Sequence, residues 1–119
     1  MTAKPKILIA RAIFPDDLVK LQDRYEVISN QADQVFTTDQ LRNHLANVDG
    51  ALVTGSERID QSTLADAKHL KIVANISVGY NNFDVPAMTA AKVMATNTPD
   101  VLTDTTADFG FALLMEIGR

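Results

Sequence analysis

No cysteine occurs in the 119 residues, which excludes disulfides and thiolate metal sites. No apolar run approaches the roughly 18 residues of a membrane-spanning helix. Met1-Thr2-Ala3-Lys4-Pro5 leads straight into a short strand-like run and lacks the pattern of a secretory signal. Positive charge is in deficit: 11 Lys and Arg stand against 15 Asp and Glu, a formal net charge of −4. The basic residues are scattered and form no stripe, so neither nucleic acid nor a membrane is an expected partner, and a cytoplasmic location follows. The five glycines, at 50, 55, 79, 110 and 118, form neither G-x-G-x-x-G nor a P-loop. The chain therefore has no recognisable nucleotide-phosphate cradle of its own. His44 and His69 lack metal-ligand spacing and read as solvated surface residues.

What is present fits one globular domain with a real core: 46% of residues are apolar and 22% charged. Lys6–Ala10 reads as a first strand. Phe14-Pro15-Asp16-Asp17 then opens a helix, with proline in the first turn and acids at the positive end of the dipole. Leu18, Leu21 and Tyr25 give it an inward face. Residues 25–28 form a second, edge strand. Thr37 and Gln40 have capping-box spacing for a helix running to about Ala46, with Leu41 and Leu45 inward. After an Asp49-Gly50 turn, residues 51–54 are a third strand. Asp60 caps a further helix with Leu64 and Ala67 inward. Ile72–Ile76 is the fourth strand, apolar enough to be buried in a parallel sheet. Asp84 and Pro86 begin a short helix through about Lys92, and residues 93–96 are the fifth strand. Strands alternating with helices predict an α/β fold with a five-stranded parallel sheet covered on both faces.

In such a sheet, ligands bind outside the carboxyl ends of the strands. Four loops lie there: Arg11-Ala12, Thr54-Gly55-Ser56, Ser77-Val78-Gly79-Tyr80 and Asn97-Thr98-Pro99. They offer hydroxyls, amides and backbone N–H groups but few general acids or bases, which suits binding a small polar anion. A glycine turn after the fourth strand can point successive N–H groups at one carboxylate. The alternative is an ordinary strand-to-helix connection. Asp16-Asp17 invites comparison with a receiver-like signalling domain. That fold needs acids at the end of the first strand, where this chain has Ala10-Arg11-Ala12.

Thr103 can cap a last helix, running from Thr105 to about Gly118. Phe109, Phe111, Leu113, Leu114, Met115 and Ile117 spread around its circumference, so it should be buried on all sides. This predicts either a fragment of a longer protein or an obligate oligomer. The alternative is a helix buried within its own domain.

Two long segments carry a resemblance that spans nearly the whole chain: Ile76-Ser77-Val78-Gly79-Tyr80-Asn81-Asn82-Phe83-Asp84-Val85 and Thr98-Pro99-Asp100-Val101-Leu102-Thr103-Asp104-Thr105-Thr106-Ala107-Asp108. Both resemble the D-isomer-specific 2-hydroxyacid dehydrogenases, in particular the glyoxylate/hydroxypyruvate reductase branch that includes 2-ketogluconate reductases. The resemblance implies a flavodoxin-like three-layer substrate domain over residues 1–100, with 101–119 starting a crossover helix to a Rossmann cofactor domain. It implies that backbone N–H groups of Val78 and Gly79 hold the carboxylate of a small 2-keto or 2-hydroxy acid. Thr54 and Gly55 border the pocket, and Thr106 lies beside the nicotinamide of NAD or NADP. The family's glycine motif and its catalytic Arg, Glu and His lie C-terminal to the matched segment. No catalytic residue is therefore assigned in this chain, and alone it is expected to be inactive. A homodimer, or self-association through the last helix, is the expected assembly. A stand-alone small-anion-binding module is the competing function.

Overall fold

A computed structural model describes residues 4–99 of the chain. Its elements are β1 (Lys6–Ile9), α1 (Pro15–Arg24), β2 (Glu26–Ser29), α2 (Thr38–Leu45), β3 (Gly50–Val53), β4 (Ile72–Asn75), α3 (Val85–Ala90) and β5 (Met94–Thr96). The five strands form one all-parallel sheet in the order β2-β1-β3-β4-β5, the flavodoxin-like order. The expected last helix, with its Thr103 cap, lies outside the described residues.

The chain reverses direction after β2, stepping from β1 outward to β2 and then back past β1 to β3. Right-handed crossovers therefore place α1 on one face and α2, the 54–71 connection and α3 on the other. Burial agrees. Leu8, Ala51 and Val73 stand side by side through the β1–β3 and β3–β4 registers. They share a core with Leu41 and Leu45 of α2, Leu64, and Met88 of α3. The opposite face is less evenly covered. Ile9 is fully buried there, whereas Ile72 and Ile76 remain 37% and 47% exposed. β4 is thus buried through Val73 and Asn75 alone, not along its whole apolar run as its composition suggested. α1 buries no residue completely, and Leu18, Leu21 and Tyr25 are half-buried.

Local chemistry fixes the helix ends. The capping box at Thr37 is complete: Gln40 N donates to Thr37 Oγ1 at 3.2 Å and Thr37 N donates to Gln40 Oε1 at 2.9 Å. Asp84 caps α3 by accepting from Ala87 N at 3.1 Å. Asp49-Gly50 is no separate turn, since Gly50 already begins β3. The helix expected after Asp60 is absent, and residues 61–66 form a run of turns. Asp60 does cap, accepting from Thr63 N at 3.0 Å, but Thr63 Oγ1 also accepts from Asp60 N at 2.9 Å and donates to Asp60 O at 3.2 Å. Only Leu64 N→Asp60 O continues as an i→i−4 bond; Ala67 and Lys68 bond to Leu64 and Asp66 instead. A side chain that bonds its own turn competes with helix propagation.

Candidate functional site

The loops after β3, β4 and β5 meet at the carboxyl edge of the sheet. The β3 loop is folded around Glu57, which is 2% exposed. Its Oε2 accepts from both Thr54 N and Thr54 Oγ1 at 2.8 Å, and Ser56 N donates to Thr54 Oγ1 at 3.2 Å. Glu57 Oε1 has no partner among the described residues. The hydroxyl proton of Thr54 is therefore spent on the loop itself.

A parallel bridge between Ile59 and Phe83 ties this segment to the β4 loop. Two asparagines complete the tie. Asn75, 2% exposed at the end of β4, donates from Nδ2 to Gly79 O and to Asn82 Oδ1, both at 3.1 Å. Asn82 Nδ2 in turn donates to Thr54 O at 3.1 Å and Glu57 O at 2.8 Å. From the other side, Thr98 N donates to Ser77 O at 3.1 Å and Asn97 Nδ2 donates to Val78 O at 2.8 Å. Asn97 belongs to one of the loops the sequence pointed to, whereas Asn75, Asn82 and Glu57 were not assigned a role by sequence. For Asn75 the signal existed, because period-two alternation places residues 73 and 75 on one face, and a buried amide must find partners.

The N–H groups of Val78 and Gly79 donate to no described residue, and Val78 is 39% exposed. Gly79 does not have a left-handed backbone; among the described residues the positive-φ positions are Asp33 and Lys92. The alternating-handed turn that would fan successive amides onto one anion is thus absent. A Cβ placed on Gly79 would meet nothing within 4 Å, and one on Gly55 would lie 3.8 Å from Ser77 Oγ. The two loops therefore flank each other, with open space in front of Gly79. Beside them a groove of about 270 Å³ is lined by Tyr80, Phe83, Val85, Ala95, Thr96 and Asn97.

Charge at this edge is internally committed. Arg11 forks onto Asp33 at 2.8 and 3.2 Å, and Ala12 N adds a third bond to the same carboxylate at 2.9 Å. The guanidinium holds Asp33 below the usual carboxylate range, and Arg11 is raised in return. A dinucleotide pyrophosphate finds no cradle here: β1 runs into Ala10-Arg11-Ala12 without a glycine, and Arg11 is occupied. Among the described residues no cluster of His, Asp and Glu could hold a metal. His69 is exposed as expected, whereas His44 is half-buried against Phe36, with ring centroids 4.7 Å apart. No described helix is long and apolar enough to cross a membrane. Thr106 lies outside the described residues.

Comparison with known proteins bears on the family and the fold. A family model described as "D-isomer specific 2-hydroxyacid dehydrogenase, catalytic domain" matches residues 7–112. A glyoxylate reductase of Pyrococcus furiosus is 41% identical over 116 residues, covering 98% of this chain and 34% of that protein. Glyoxylate/hydroxypyruvate reductase B of Shigella dysenteriae is 39% identical over 119 residues, covering 98% of this chain and 36% of that protein. Among solved structures, the NADPH-dependent glyoxylate/hydroxypyruvate reductase of Sinorhizobium meliloti, in complex with NADP and malonate, superposes with a TM-score of 0.73 at 30% identity. That match covers 95% of this chain and 34% of the other. The chain spans about a third of the length of the curated relatives it matches.

Proposed function

The chain belongs to the D-isomer specific 2-hydroxyacid dehydrogenase family, and from that premise we propose that residues 1–100 are the substrate domain of an NAD(P)-dependent reductase of small 2-keto acids such as glyoxylate or hydroxypyruvate. The observation that carries the proposal is the β4 loop: amides of Val78 and Gly79 that donate to no described residue, at the carboxyl edge of a parallel sheet, with open space where a Gly79 side chain would stand. Two such amides suit the two oxygens of a carboxylate. Gly55 flanks them, and Thr54 acts through the loop by its bonds to Glu57. The described residues bind and orient the anion, and no step of the reduction is assigned to them, because they hold no dinucleotide cradle. Residues 101–119 are proposed to lead to the cofactor domain, with Thr106 beside the nicotinamide. A cytoplasmic homodimer belongs to the same proposal.

Titration of the chain with oxamate, a stable 2-keto acid analogue, followed by amide NMR, tests the reading. The largest shifts are expected at Val78 and Gly79. Shifts confined to lysines and arginines elsewhere, or none, would overturn it.

A further inference from the structure

The β4 loop presents amides without the left-handed glycine that usually aims them, so their direction must be set by something else. In a trans peptide the N–H of one residue points opposite to the C=O of the residue before it. None of the described peptide bonds is cis. A group that holds a carbonyl on one side therefore turns the next amide to the other.

Three consecutive carbonyls of this loop are held. Ser77 O accepts from Thr98 N and Val78 O from Asn97 Nδ2, both at the end of β5. Gly79 O accepts from Asn75 Nδ2 in the buried interior. It follows that the amides of Val78 and Gly79 point away from β5, toward the β3-loop side where Gly55 lies. The amide of Tyr80 points away from the buried Asn75. Asn75 is itself braced: its Oδ1 faces Asn82 Nδ2 at 3.4 Å, and its Nδ2 reaches Asn82 Oδ1.

We propose that Asn97 and Asn75 are positioning residues of the anion site, Asn97 aiming the Gly79 amide through the Val78 carbonyl and Asn75, braced by Asn82, fixing the far end of the loop. The proposal rests on the carboxylate reading of the loop given above. It adds residues that touch no substrate and whose removal leaves both Val78 and Gly79 in place. A structural role alone would stabilise the loop without governing where its amides point.

The test uses Asn97→Ala in the 119-residue chain, with two readouts. One is the N–H residual dipolar coupling of Gly79 in weakly aligned, ligand-free protein, with Leu8, Leu52 and Val73 as sheet references. The other is oxamate affinity. The expected result is a changed Gly79 coupling, unchanged sheet couplings and oxamate affinity reduced about ten-fold. A wild-type coupling at Gly79, whatever the affinity, would overturn the positioning role. Loss of the sheet couplings as well would replace it with a structural one. If the wild-type chain binds no oxamate but Asn97→Ala still reorients the Gly79 amide, the positioning role stands and the carboxylate reading falls.

Discussion

Replacing Gly79 by valine separates the two reasons a loop can carry glycine. If glycine is there for the backbone, valine should strain the fold. The structure argues otherwise: Gly79 is not left-handed, and a Cβ on it meets nothing within 4 Å. Stability should change by no more than about 0.5 kcal/mol, as at an open surface position. If glycine is there for a ligand, the valine methyls fill the space through which a carboxylate oxygen must come to about 2.9 Å from the amide. Losing one charge-assisted bond should then weaken binding about ten- to a hundred-fold, and losing two more than that. Urea unfolding and oxamate titration measure the two effects separately. On the proposed reductase function, KM for the keto acid should rise and kcat/KM fall, while affinity for NADH or NADPH stays nearly unchanged. Gly50→Val is the opposite control. Its Cβ would sit 3.3 Å from Ile72 Cγ2 and 3.5 Å from Ile7 Cγ2, an overpacking expected to cost about 1–3 kcal/mol. Should Gly79→Val lose stability like Gly50→Val and keep its anion affinity, the glycine is structural and the site assignment is wrong.

Glu57→Ala should cost about 3 kcal/mol by removing the acceptor for Thr54 N and Oγ1, whereas Glu57→Gln should stay within about 1 kcal/mol, since Oε1 has no partner to lose; urea midpoints that rank the two variants the other way would show that Oε1 is engaged. The Thr63 N–H, helped by Arg58, holds the Asp60 carboxyl below its ordinary value. Its folded pKa is depressed, so its stabilisation is complete above the unfolded value of about 3.9 and is lost as pH falls through the folded value. Asp60→Asn keeps the acceptor but cannot titrate, so its urea midpoint should fall less steeply than the wild type's below about pH 4; parallel profiles would refute this. Thr37→Ala should cost about 1 kcal/mol by chemical denaturation, because it removes half of an intact capping box.

The sheet was legible because β1, β3 and β4 are short, mostly apolar runs between strong punctuation, and because capping boxes are local. Thr37 and Gln40 find each other within one turn whatever the rest of the chain does. The failure after Asp60 has the same local origin. The cap was read correctly, but Thr63 spends its hydroxyl on the cap residue, and one i→i−4 bond does not propagate. At the site, the sequence pointed to the loop but not to its mechanism. That Val78 and Gly79 carry the exposed amides was implied by resemblance. That they are aimed by held carbonyls depends on the handedness of Gly79 and on contacts 4, 19 and 28 residues apart in the chain. Neither can be read from spacing.

The site also differs from most anion sites in what it withholds. Arg11, just after β1, and Arg58, in the segment after β3, are paired with Asp33 at 2.8 Å and Asp60 at 3.2 Å. A carboxylate approaching Val78 and Gly79 therefore meets neutral dipoles, not a free cation of the described residues. Amides fixed by a rigid sheet edge are directional and need little reorganisation, so they select orientation more than they supply affinity. Under the proposed function, weak and directional holding of a carboxylate suits a reductase, because a carbonyl must be presented at one angle and the product released afterwards. Freeing a cation at the carboxyl edge of the sheet by Asp33→Asn, which releases Arg11 at the end of β1, should tighten oxamate binding while leaving the Gly79 amide orientation unchanged. If freeing Arg11 instead turns that amide, orientation and charge are not separable here and the division of labour fails.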